Sequence, residues 1–125
     1  MGSKAFSAPG LKLELEETAE ETTVHCIGKI TTDSAEMFQN EIRDRVIPIS
    51  RGRGVAVTCR VVLDLSQVTF VDSTGLGALL AVWTAGQRRC CDVEIINLNP
   101  RVEKLVSMTK LDQVFNKMKG LFGGK

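Results

Sequence analysis

Six consecutive residues, Asp72-Ser73-Thr74-Gly75-Leu76-Gly77, hold the densest chemistry of this chain: a carboxylate, two hydroxyls and two glycines. Three uses of that set compete. A serine nucleophile in a hydrolase elbow needs glycine two positions upstream, where Val71 stands, and a base, for which His25 is the single histidine. A nucleotide fingerprint would use Gly75 and Gly77 after a strand, with Glu94 as the acidic partner. Its third glycine position is Leu80, however, and Glu94 falls mid-strand, away from the strand end where a ribose would sit. The third use asks for no catalysis. Asp72 or Ser73 caps a helix, the glycines allow a tight turn and close packing, and the capped N-terminus is a natural anion site.

The flanking sequence must position that turn. Val61 to Leu65 is a short Val- and Leu-rich run suited to a strand buried on both faces. Leu76, Leu79, Leu80 and Trp83 fall at i, i+3, i+4, i+7, the stripe of a helix that runs out in the basic Gln87-Arg88-Arg89 and is expected to end at Cys90-Cys91. Upstream, Leu11, Leu13 and Leu15 alternate with charged residues, and Thr22 to Ile30 is a second β-rich run. The two predict an antiparallel hairpin around the charged turn Glu17–Glu21. Asp33 and Glu36 have capping-box spacing ahead of the stripe Ala35, Phe38, Ile42, Val46, which stops near Pro48. Arg51-Gly52-Arg53-Gly54 reads as a solvated loop. Asp92 to Leu98 is a further strand, and Asn99-Pro100 starts a third helix with Val102, Leu105, Val106 and Thr109 inward. Leu111 to Phe115 continues it or begins another turn. The order β-β-α-β-α-β-α implies a mixed sheet covered by helices.

With 125 residues and 43% hydrophobic and 25% charged composition, the chain reads as one globular domain. We divide it into a flexible leader at 1–10, a domain at 11–118 and a frayed tail at 119–125. A net charge of +1 gives no general drive toward nucleic acid or acidic membrane. No apolar run is long enough to span a bilayer and the N-terminus lacks a signal-peptide core, so a cytoplasmic location is expected. Cys26, Cys59, Cys90 and Cys91 form no C-x-x-C pair and are not spaced with His25 for zinc, so free thiols and no metal are expected. A lone strand histidine is read as packed or solvated.

Val71-Asp72-Ser73-Thr74-Gly75-Leu76-Gly77-Ala78-Leu79-Leu80, preceded by Val62-Leu63-Asp64-Leu65-Ser66, resembles the phosphorylation-site segment of STAS-domain anti-sigma-factor antagonists. The likeness runs from about residue 11 to the last expected helix. It implies a small four-stranded mixed sheet packed against helices, and no enzymatic activity or cofactor. It implies that Ser73, the serine directly after the aspartate, is phosphorylated by a partner that is both kinase and anti-sigma factor, with Thr74 as second choice. It also implies a partner of the histidine-kinase-like ATPase type, bound by Thr31, Asp33, Asp72, Ser73, Thr74, Gly75, Leu76 and Gly77, and a monomer or weak dimer. Gly75 is expected at that surface, where a larger residue would keep the partner's backbone away. One position departs from the pattern: Thr31 stands where antagonists often place an acid, and Asp33 lies two residues later. The alternatives are a STAS module of another partner-switching or lipid-transport assembly, and a small nucleotide-binding protein.

Overall fold

The computed structural model describes residues 3–18, 20–48, 59–98 and 100–108. Their elements are β1 (Ser3–Ala8), β2 (Leu11–Glu17), β3 (Thr22–Ile30), α1 (Thr32–Glu41) continued by a π-helical turn (Ile42–Val46), β4 (Cys59–Val71), α2 (Ser73–Arg88), β5 (Cys91–Ile96) and α3 (Pro100–Met108). The expected loop at 51–54, the Asn99 cap, Thr109, the 111–115 continuation and the 119–125 tail lie outside the described residues.

The strands form a single mixed sheet in the order β1-β2-β3-β4-β5. The first three are antiparallel in sequence, while β3-β4 and β4-β5 are parallel. Crossover helices α1 and α2 pack against one another and cover the sheet face that carries Leu13, Val24, Leu63 and Val93. Alternation along each strand makes that face apolar. Phe38, Ile42 and Val46 of the first helical stretch, and Leu76 and Leu79 of the second, complete the core as expected from their spacing, whereas Val82 joins it unannounced and the expected Leu80 and Trp83 are only partly buried against it.

The sheet has five strands, not the expected four, and the additional one comes from the segment read as a leader. Ser3–Ala8 turns at Pro9-Gly10, with Gly10 at φ +81°, and pairs along β2 from Ala8↔Leu11 to Ser3↔Glu16. The turn is held from β3, where Lys29 N donates to Gly10 O (2.8 Å). Gly28, at φ +120°, faces that carbonyl so closely that a Cβ would lie 2.2 Å from it. Phe6 packs against the core under the Arg45 guanidinium, 5.5 Å from the ring centroid. One inward aromatic in six residues is too weak a pattern to announce a strand; its pairing partner makes it one.

Two other expectations are corrected. Cys59 and Cys91 are not free thiols but disulfide-bonded, with Cα atoms 4.6 Å apart. The parallel register sets them opposite one another at the starts of β4 and β5, a juxtaposition that their 32-residue separation conceals. Cys26 and Cys90 remain free, buried and exposed respectively. Cys91 opens β5 and does not end the preceding helix.

The opposite sheet face carries charges in cross-strand files. Arg60 pairs with Glu21 (3.0 Å) and with Glu94. His25 stands between Glu16 (Nε2, 3.0 Å) and Asp64 (Nδ1, 3.1 Å), spanning β2, β3 and β4. The hydrogen bond to Glu16 raises the His25 pKa above its ordinary value against the opposing effect of burial, with Asp64 adding to the rise. For Asp64, burial acts upward, but hydrogen bonds from Ser66, Asn97 and His25 together bring its carboxyl below the usual range.

Candidate functional site

Parallel pairing of β3 and β4 brings their C-terminal ends to the same edge of the sheet, so α1 and α2 start side by side. The two turns are bonded to each other. Asp72 is the N-cap of α2: its Oδ1 accepts from Gly75 N (2.7 Å). Its other oxygen accepts from Thr32 N (3.1 Å) and Thr32 Oγ1 (3.3 Å), so one carboxylate serves both helix starts. Asp72 N in turn donates to Ile30 O (3.2 Å). On α1 the cap is Thr31, not the expected Asp33. Thr31 N donates to Ser34 Oγ (3.1 Å), and Ser34 Oγ donates to Lys29 O (2.9 Å). Asp33 lies exposed in the first helical turn, because the chain enters the helix two residues earlier than the acidic spacing suggests.

The two hydroxyls of the motif are not equivalent. Ser73 is exposed, and its side chain has no hydrogen-bond partner among the described residues. Thr74 Oγ1 lies 3.3 Å from Thr32 Oγ1. Thr32 has one hydroxyl hydrogen, and the carboxylate of Asp72 is the stronger acceptor for it. The hydrogen of Thr74 is therefore directed at Thr32. Ser73 is left as the unengaged hydroxyl at the positive end of a 16-residue helix.

The two glycines differ as well. A Cβ on Gly75 would lie 1.9 Å from Ile30 O, whereas one on Gly77 would meet nothing within 4 Å. Gly75 and Leu76 are buried, so they support the turn from below and do not form the outward surface expected of them. Thr31, Asp33, Asp72, Ser73, Thr74 and Gly77 all retain exposure.

The strand that delivers the motif is longer than its apolar run predicts. β4 continues through Val71 because it keeps pairing with β3, at the cost of two bulges. Between His25↔Asp64 and Ile27↔Gln67, and again between Gly28↔Val68 and Lys29↔Phe70, β4 gains one residue on its neighbour. Each bulge turns the side-chain alternation over. Val68 and Val71 consequently point inward while Thr69 and Phe70 point out. Sequence reasoning missed Thr32 and Phe70. The parallel topology signals Thr32, since both helix starts must meet at one sheet edge; a local pattern gives no signal for Phe70.

The competing chemistries lose their parts. His25 has both ring nitrogens engaged by carboxylates on the sheet face. Glu94 is paired with Arg60. Among the described residues no group of three His, Cys, Asp or Glu is placed to hold a metal ion, and no helix is long and apolar enough to cross a membrane.

The model of the STAS domain matches residues 12–121. This chain belongs to the STAS domain family. Among solved structures, this STAS chain is similar to an anti-sigma factor antagonist from Mycobacterium paratuberculosis (25% identity, 87% of this chain and 86% of that one, TM-score 0.62). It is similar in fold to the anti-sigma factor antagonist SpoIIAA in its unphosphorylated form (17% identity, 86% and 98% covered, TM-score 0.56). The fold likeness also reaches the murine anion transporter Slc26a9 (22% identity, TM-score 0.61), covering 78% of this chain but 15% of the transporter. The STAS fold is thus found both in antagonists and within a transporter.

Proposed function

We propose that this STAS protein is an anti-sigma-factor antagonist switched by phosphorylation of Ser73. The observation that carries the proposal is the inequality of the two hydroxyls: Ser73 is exposed and unengaged at the α2 N-terminus, while Thr74 is held by Thr32. The likeness to two antagonists along nearly their whole length supports it. Unphosphorylated, the protein binds a kinase/anti-sigma factor of the histidine-kinase-like ATPase type and frees a sigma factor. Phosphate on Ser73 adds roughly −1.5 to −2 charges beside Asp72, and an incoming surface must desolvate them. The helix dipole offsets part of the repulsion, so the fold tolerates the group. The protein acts as a cytoplasmic binding partner, a monomer or weak dimer, and not as an enzyme. A transporter role rests on fold likeness alone.

Incubation with the purified kinase partner and ATP is expected to place a single phosphate on Ser73, located by mass spectrometry. Calorimetry should then show the phosphorylated protein and, more weakly, Ser73→Asp losing affinity, because aspartate carries about one charge. Phosphate on Thr74 or Ser66, or undiminished binding by both forms, would overturn the switch.

A further inference from the structure

Among the described residues, Phe70 is the one large apolar side chain left exposed, at 49%. It stands three residues before Ser73, at most about 11 Å along an extended backbone. Its outward direction is built, not incidental. The second β4 bulge reverses the alternation at this point, Thr69 Oγ1 donates to Gly28 O (3.3 Å) within the bulge, and Val68 and Val71 are anchored in the core on either side. An aromatic ring held this way loses little freedom on docking. Lys29, its register neighbour on β3, is also exposed.

We propose that Phe70 is the apolar anchor of the partner-binding face. It would seat in an apolar pocket of the kinase/anti-sigma factor whose rim carries an acidic group facing Lys29. This rests on the partner-switching reading above and adds to it the contact that supplies affinity, with Ser73 at the polar rim where a phosphate breaks the seal. A desolvated aromatic ringed by weaker polar contacts is the usual composition of an energetic hot spot. An acidic rim also accounts for the sign of the switch, since it would repel a phosphate nearby.

The test is calorimetric titration of wild type, Phe70→Ala, Phe70→Leu and Ser73→Asp against the purified histidine-kinase-like anti-sigma factor of the source organism. Phe70→Ala should weaken binding by about 30-fold or more, with Phe70→Leu between it and wild type and both melting close to wild type. Affinity for Phe70→Ala within about threefold of wild type, while Ser73→Asp binds poorly, overturns the anchor and leaves the switch standing. Failure of the wild type to bind, or full binding by Ser73→Asp and the phosphorylated form, removes the switch and the anchor with it. Should Phe70→Ala melt early, Phe70→Gln decides, and wild-type affinity in that variant overturns the proposal.

Discussion

Asp72 and Ser73 are both good helix caps by type, so neighbouring residues alone leave the choice between them open. What decides it is the Asp72 carboxylate, whose Oδ1 takes the Gly75 N–H while its other oxygen gathers the N–H and hydroxyl of Thr32, forty positions away. Asp72→Ala should therefore cost about 1–2 kcal/mol of stability, at the upper end of cap losses because two turns lose their acceptor together. Ser73→Ala should leave the urea midpoint almost where it was. Equal losses in the two variants would show that the cap assignment is wrong. The same distant contact separates Ser73 from Thr74 as phosphate acceptors, and it is the part of the site that no local pattern carries. The motif itself was legible: its residues and their place at a helix start follow from ten consecutive positions.

At the scale of elements, periodicity located β2, β3, α1, α2 and β5, because each has one apolar face repeating at its own period, and α3 starts at Pro100 where the Asn-Pro signal put it. It failed where the sheet, not the segment, decides. β1 exists because β2 offers an edge, and β4 extends past its apolar run because bulges keep it in register with β3. Cap position was hidden for the same reason, since Asp33 has the better spacing and Thr31 the better geometry. The β3–α2 contact gives a sharp contrast between two glycines of one helix. Gly75→Ala drives a methyl into Ile30 O and should cost about 1–3 kcal/mol or more. Gly77→Ala enters open space on an exposed helical surface and should gain about 0.5–1 kcal/mol from reduced backbone freedom. Thermal melts of the pair check both signs; similar effects would mean that Ile30 yields to the added methyl.

Across the whole molecule, His25 joins three strands through Glu16 and Asp64, with about a third of its side chain, 32%, exposed. Its pKa is raised on folding, so its protonated form is the stabilising one. That contribution is full below the unfolded value near 6.5 and is lost as pH climbs through the higher folded value. Asp64, shifted down, works in the opposite sense: its contribution is present above the unfolded value of 3.8 and disappears in acid. The melting-temperature gap between wild type and His25→Gln should accordingly be widest near pH 5.5 and shrink toward pH 8.5. A gap that grows with pH would contradict the assignment. The lone histidine was expected to be packed or solvated, and it is half of each; the cysteines were expected to be free, and two of them are not. Both partnerships join strands that only the complete sheet brings together.

One feature of the helical layer bears on time as well as on affinity. α1 and α2 are fastened at both ends, by Asp72 to Thr32 at their starts and by Arg89 Nη1 to the Arg43 carbonyl (2.7 Å) near their finish. A helix pair clamped twice has little room to tilt, so under partner switching the phosphate would act on the contact surface without waiting for a rearrangement. The encounter of the two proteins would then slow only as far as the phosphate's charge repels the partner's acidic rim, and phosphorylation would be read out mainly as a shortened residence time. Stopped-flow records should show the dissociation rate rising severalfold more than the association rate falls. A slow, concentration-independent phase appearing only with the phosphorylated protein would instead reveal a clamp that opens.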